Sequence, residues 1–257
     1  MTAPATLSFD ASHTRASICL FHPKGNIITA DMIDALTRAL DAASGDRRLK
    51  LVTIEGAGAD FSFGASIPEH APGEIERVLP AAHALIDTLL AFPAPTAALV
   101  RGRCLGGGFE IALACDFVFA EASATFGLPE IGLGVFPPAA CALLPLRVGA
   151  ARATRAILTG ATSPAEEWRQ AGLVTEVSAD GMLSGDVDRW FADHFFGRSA
   201  EALRHATAAA RFALRRDVRR VLPELERLYL DVLMKTADAR EGVAAFLEKR
   251  SPDWTDR

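Results

Sequence analysis

Apolar residues recur at strand or helix spacing along most of the chain, and the changes of period divide it into elements. From Thr6 to His22 the pattern predicts a hairpin, with a second strand from Ala16 to Phe21 that runs into the turn His22-Pro23-Lys24-Gly25-Asn26. Thr29 is placed to cap a helix from Ala30 to Ala43, in which Met32, Ile33, Leu36 and Leu40 share one face. A β-branched strand, Leu49 to Glu55, opens into GAGADFSFGASIPEH, a loop dense in glycine and small residues. Helical periodicity returns from Glu74 to Phe92, where Pro80 predicts a kink or a division. The turn Pro93-Ala94-Pro95 feeds a strand from Thr96 to Arg101, then three glycines, a helix over Phe109 to Cys115 and a strand over Phe117 to Ala120. Ser163 with Glu166 reads as a capping box for a helix ending at Gly172, and past Val177 the composition turns to alanine, arginine and leucine in helical order.

Composition narrows the classes of function. Half of the 257 residues are hydrophobic, enough for a sizeable core, and no apolar run approaches the ~20 residues that span a bilayer. A formal net charge of −5 gives no bulk attraction to nucleic acid or anionic lipid, so a polyanionic partner must be held locally. The arginines at 204, 211, 215, 216, 219 and 220 lack interleaved aromatics and read as a solvated, ion-paired helix rather than an RNA-binding face. Cys19, Cys104, Cys115 and Cys141 sit in apolar segments without metal spacing, which fits reduced, buried thiols in a cytoplasmic protein, and no metal-ligand cluster is visible.

The chemistry concentrates between Arg101 and Glu130. Gly106, Gly107 and Gly108 precede an apolar helical run, so backbone amides at that helix start can approach another molecule closely and favour negative charge. An enolate oxygen formed from a carbonyl could be held there if a second donor comes from elsewhere. Glu110, between Phe109 and Ile111, and Glu130, within FGLPEIGLG, are carboxylates in surroundings where a solvated glutamate has no reason to be. Two such groups in one pocket can share a water, and desolvation with mutual repulsion raises at least one pKa into the range of acid–base work; Glu130 is expected to be the more desolvated.

With those residues in view, LGGGFEIALACDFVFAEASATFGLPEIGLGVFP resembles the signature of the crotonase (enoyl-CoA hydratase/isomerase) superfamily, and the likeness extends over nearly the whole chain. The resemblance implies an α/β fold, a crotonase-like (ClpP/crotonase) spiral of ββα units over residues 1–195, followed by a helical trimerisation region over 196–257. It implies a coenzyme A thioester as substrate, no separate cofactor, and a homotrimer or hexamer. Against the family's FxxGADI motif, FSFGASI places Ala65 as the partner of Gly107 in an oxyanion hole, with Gly64, Ser66 and Ile67 beside the substrate. Lys24, Phe246 and Lys249 match positions near the CoA nucleotide, the last two often against a neighbouring subunit, and Phe136 matches a position at the acyl pocket. Asp116 also belongs to the motif and is assigned a structural role at the helix end.

Two departures bear on the acyl group. Ser66 replaces the usual aspartate, with His70 following in IPEH, and Phe136 to Leu144 reads FPPAACALL where hydratases of linear substrates carry PGAGGTQ. The first, GASxxEH, resembles the hydratases of cyclohexa-1,5-diene-1-carbonyl-CoA in anaerobic aromatic degradation, while the second fits a ring substrate and equally a change of pocket shape for another purpose; His70 is read as lining the pocket or bonding within its loop. The resemblance then implies hydration with Glu110 as the base that activates water and Glu130 supplying or receiving the carbon-bound proton, or with the two roles exchanged. The rivals are a general hydratase of linear enoyl-CoA, an isomerase, for which one carboxylate suffices, and a non-catalytic CoA- or RNA-binding module, which the glutamate pair opposes.

Overall fold

The computed structural model describes residues 3–257. Strands β1 (Ala5–Phe9) and β2 (Arg15–Leu20) form the expected antiparallel hairpin, and β2 turns Ala16, Ile18 and Leu20 inward in the alternation that a half-buried strand requires. Helix α1 (Ala30–Ser44) is capped by the Thr29 hydroxyl, which accepts from the Met32 amide, and buries the apolar face read from its sequence. Then follow β3 (Leu51–Gly56), α2 (Ile75–Ala91), β4 (Thr96–Val100), β5 (Arg103–Leu105), α3 (Gly107–Ala114), β6 (Phe117–Glu121) and β7 (Thr125–Gly127). The remainder is α4 (Pro138–Val148), α5 (Ala150–Thr159), β8 (Ser163–Pro164), α6 (Ala165–Gln170), β9 (Glu176–Ser178), α7 (Leu183–Phe191), α8 (Ala200–Ala210), α9 (Phe212–Arg227) and α10 (Ala237–Glu248).

The main sheet has the order β1-β2-β3-β4-β6-β9, and every pairing after the first is parallel. Strands with crossover elements on both faces must be apolar throughout, and all five residues of β4 are buried. One face packs Leu51, Leu99 and Phe119 beneath Leu183, Val187 and Phe191 of α7. The other carries the larger core, to which α1, α2, α3 and α4 contribute. A second sheet, β5-β7-β8, stands beside the start of α3. Beneath α3, Phe109 meets Trp168 edge-on at 5.2 Å and Phe126 at the same separation, so the tryptophan of α6 helps to brace the helix.

Three local expectations are corrected. Pro80 neither ends nor divides α2: it lies in the second turn, where the missing amide costs one bond near a helix end that already lacks several. Ser163 and Glu166 do not make a capping box. Pro164 occupies the cap position, Ser163 is taken into β8, and Glu166 pairs with Arg169 and Gln170. Of the arginine run, Arg219 pairs with Asp87 as a solvated, ion-paired helix should, but Arg211 is only 4% exposed. Its guanidinium binds Asp116, with Nε 2.7 Å from Oδ1, and donates to the carbonyls of Leu89, Phe92 and Ala94. Asp116 also accepts from the Thr96 amide at 2.7 Å, which is the structural role read for it. Arg211 thus ties the C-terminal helices to the sheet, and Val218 and Leu222 of α9 join the main core. No helix among the described residues is long and apolar enough to cross a membrane.

Candidate active site

The oxyanion turn is built by close backbone approach. After β3, Phe61 and Ser62 donate to the carbonyls of Arg101 and Arg103, and Leu105 returns a bond to Ser62 at 2.9 Å, so this loop runs alongside β5. The Ser62 hydroxyl donates to the Asn26 carbonyl at 2.7 Å and accepts from the Gly64 amide at 3.1 Å, which fixes the loop from within. Ala65 is paired in turn with Ile28. Gly108 is required here, because a Cβ at that position would lie 2.5 Å from the Cβ of Ser62. A Cβ on Gly107 would meet the Ala65 nitrogen at 3.4 Å, so the two amides stand side by side. Neither has a hydrogen-bond acceptor among the described residues, and the Gly107 amide belongs to the first turn of α3, where no intrahelical partner exists. Two unpaired donors at a helix start form a site for a developing oxyanion.

Glu110 follows one turn later. Its Oε1 accepts from the Ala140 amide at 2.8 Å, and that amide lies in the first turn of α4, with Pro138 as first residue. The PPAACA segment is therefore the helix start that holds one carboxylate in place, a role its sequence did not disclose. Glu130 sits in a 3₁₀ turn, Pro129–Leu133, reached from β7. A Cβ on Gly106 would fall 2.5 Å from Glu130 Oε1, so this glycine, at φ +48°, lets the second carboxylate approach the oxyanion turn. Glu130 Oε2 is buried without a protein partner.

Both carboxylates touch a cavity, but protein surrounds them on almost every other side. Burial raises the pKa of Glu110 to about 7, against the opposing pull of the Ala140 and Ala139 amides. Burial raises that of Glu130 to about 8, and the charge of Glu110 adds to it. The expectation that Glu130 is simply the more desolvated is corrected: what separates the two is the pair of α4 amides on Glu110 and the electrostatic effect of Glu110 on Glu130. Both carboxyls are thus raised from 4.5 towards neutrality, so that near pH 7 to 8 the pair can hold one proton between them, one member a base and the other an acid. Cys141, on the same stretch of α4, is pushed up to about 12 by burial and by both carboxylates, so its thiol stays protonated.

The cavity has a volume of about 820 Å³ and is mostly apolar. Glu110, Glu130, Ala65 and Gly107 all line it, as do Gly64, Ser66, Ile67, His70 and Phe136. Lys24, Phe246 and Lys249 line it too, so the last two reach the cavity of their own chain. His70 is placed as read: its Nδ1 lies 2.9 Å from the Ser66 carbonyl, and burial lowers its pKa, leaving a neutral ring that donates within its own loop.

Two lining residues were not anticipated. His83 of α2 has Nδ1 at 2.6 Å from Glu226 of α9 and a buried Nε2 without a partner. Burial lowers its pKa, so the ring is neutral and Nε2 is an unmatched acceptor. Tyr229 lies in a π turn after α9, 2% exposed, against Phe136. Neither has a local sequence signal, since each comes to the cavity through helix packing far from the glycine motif.

Comparison with known proteins agrees with this geometry. Relatives include cyclohexa-1,5-dienecarbonyl-CoA hydratase of Thauera aromatica, 42% identical over 93% of this chain and 92% of that protein. Another is 2,3-dehydroadipyl-CoA hydratase of Escherichia coli (strain K12), 34% identical over 90% and 91%. Among solved structures, an enoyl-CoA hydratase from Mycobacterium avium subsp. paratuberculosis K-10 superposes with a TM-score of 0.87 at 31% identity over the whole of both chains. The family model described as enoyl-CoA hydratase/isomerase matches residues 11–257, from the first hairpin to the C-terminus. The chain belongs to the enoyl-CoA hydratase/isomerase family, the crotonases, and has their fold.

Proposed function

We propose that this protein adds water to a cyclic, conjugated dienoyl-CoA thioester, cyclohexa-1,5-diene-1-carbonyl-CoA being the substrate favoured. The observation that carries the hydratase reading is the pair of deeply set carboxylates, held near 7 and near 8 on one cavity, beside two amides without acceptors. The thioester oxygen receives the Ala65 and Gly107 amides, and the conjugated double bonds are polarised towards it. Glu110 takes a proton from water as its oxygen bonds to carbon. Glu130 delivers a proton to the carbon end of the resulting enolate, the electron pair returns from the oxygen, and the elements of water have been added. Each amide donor typically contributes ~3–4 kcal/mol to the barrier. Proton transfers between these groups complete the reaction without a further cofactor.

Ring specificity is supported by the likeness to the Thauera aromatica hydratase. It is supported also by the α4 start, which places Pro137, Pro138 and Ala139 on the cavity wall, where hydratases of linear substrates are expected to carry smaller glycines. Lys24 and Lys249, exposed beside the cavity, are the cations we assign to the CoA phosphates. A homotrimer or hexamer in the cytoplasm completes the reading. Parallel turnover of cyclohexa-1,5-diene-1-carbonyl-CoA and crotonyl-CoA, with products weighed by mass spectrometry, tests it. Faster water addition to the diene supports the ring assignment; preference for crotonyl-CoA removes it and leaves the mechanism, and hydration of neither removes both.

A further inference from the structure

The chain has one tyrosine, and it stands in the wall of the cavity that holds both glutamates. Tyr229 is 2% exposed, yet its phenol makes no hydrogen bond to the protein among the described residues. The hydroxyl is not among the fully enclosed polar atoms that lack a partner, so it opens on the cavity, where water or a bound molecule can supply the partner that the protein does not. The ring is fixed: it meets Phe136 edge-on with centroids 5.3 Å apart and packs in a cluster with Ile75, Val135 and Leu133. Leu133 ends the turn that carries Glu130, and just beyond it the Val135 amide donates to the Glu130 carbonyl. The backbone departs from α-helical geometry at this point, in a π turn from Leu228 to Val232, a distortion frequent at functional sites.

We propose that Tyr229 is a further catalytic residue, whose phenol donates a hydrogen bond to the oxygen of the attacking water and, after reaction, to the hydroxyl of the product. The inference rests on the hydratase reading. A water between two carboxylates directs its hydrogens at them and keeps two lone pairs. One attacks carbon; the other needs a donor to fix its direction, which ionised Glu110 cannot be and which Glu130, whose proton goes to carbon, is not free to be. Burial and the charges of Glu130 and Glu110 all raise the phenol pKa, so the group is protonated throughout the working pH range and can donate. In the reverse direction the same hydrogen bond stabilises the departing oxygen.

The test is Tyr229→Phe, which keeps the ring and its packing, assayed in both directions on the substrate that the wild type hydrates. Loss of one such hydrogen bond in the transition state is expected to lower kcat roughly 10- to 100-fold while KM changes less than about threefold. Because there is one tyrosine, protein labelled with carbon-13 at its phenolic carbon gives a single NMR signal. That signal is expected to shift as the carboxylates ionise between pH 6 and 9, and to lose part of the shift in Glu110→Gln and in Glu130→Gln. A variant within about threefold of wild type in kcat overturns the proposal, as does a signal indifferent to both glutamates. A wild type that hydrates no thioester removes the hydratase reading and the proposal with it; a wild type that turns over while Tyr229→Phe is unimpaired removes the proposal alone.

Discussion

Glutamate 130 should make the protein less stable as the pH rises, and its replacement by glutamine should reveal by how much. The carboxyl titrates at 4.5 when free and at about 8 in the fold, because burial and the neighbouring Glu110 charge oppose its ionisation. A group raised on folding imposes no penalty below its unfolded value. The penalty grows as pH climbs from 4.5, since the folded state then holds the proton more tightly than the unfolded chain would, and levels off above about 8. Each pH unit of separation is worth about 1.4 kcal/mol, so the full penalty is about 3–5 kcal/mol. Glutamine keeps the shape and cannot ionise. Its amide leaves a donor where Glu130 Oε2 now lacks a partner, a cost that does not depend on pH. The gap in melting temperature between Glu130→Gln and wild type should therefore move in favour of the variant by roughly 10 °C between pH 5 and pH 9. Differential scanning fluorimetry across that range measures it, and titrating groups that do not interact with Glu130 cancel in the difference, whereas Glu110, relieved of its neighbour's charge, does not. A gap constant with pH, or one that moves against the variant, refutes the reasoning that burial opposes the ionisation of Glu130.

Other consequences are equally concrete. Gly106→Ala forces a side chain to φ +48° and sets a Cβ 2.5 Å from Glu130 Oε1; strain of about 1–3 kcal/mol and a displaced carboxylate are expected to lower kcat at least ~tenfold in steady-state assays, with the fold retained by circular dichroism. Arg211→Met leaves Asp116 unpaired beneath the C-terminal helices. It should destabilise by about 3–5 kcal/mol in urea titrations, and a loss below 1 kcal/mol would show that water replaces the guanidinium without difficulty.

The chemistry was legible where a residue type was out of keeping with its neighbours. Glu110 between Phe109 and Ile111, and Glu130 amid FGLPEIGLG, could be singled out because apolar flanks do not accept a carboxylate without a purpose. The fold was legible in its longer elements: the Thr29 cap and the apolar face of α1 fix that helix from local interactions alone. β5, β7 and β8, of two or three residues each, carry no period, and only pairing across the chain makes them strands. Arg211 looks in sequence like the other arginines of its run, and its burial follows from a fit against Asp116, 95 positions away. Tyr229 and His83 were hidden for the same reason. The PPAACA segment was recognised as a departure, but its role as the helix start that holds Glu110 depends on an amide 30 residues from that carboxylate.

The most direct measurement of the central claim is the pH dependence of kcat/KM for hydration, from pH 5.5 to 9.5, in wild type and in the two glutamine variants. Glu110 must be ionised and Glu130 protonated, so activity should fall below about pH 7 and again above about pH 8, with a maximum between, and both variants should lose at least ~100-fold. A profile flat over that range, or a variant that keeps more than a tenth of the wild-type rate, contradicts the paired-carboxylate account.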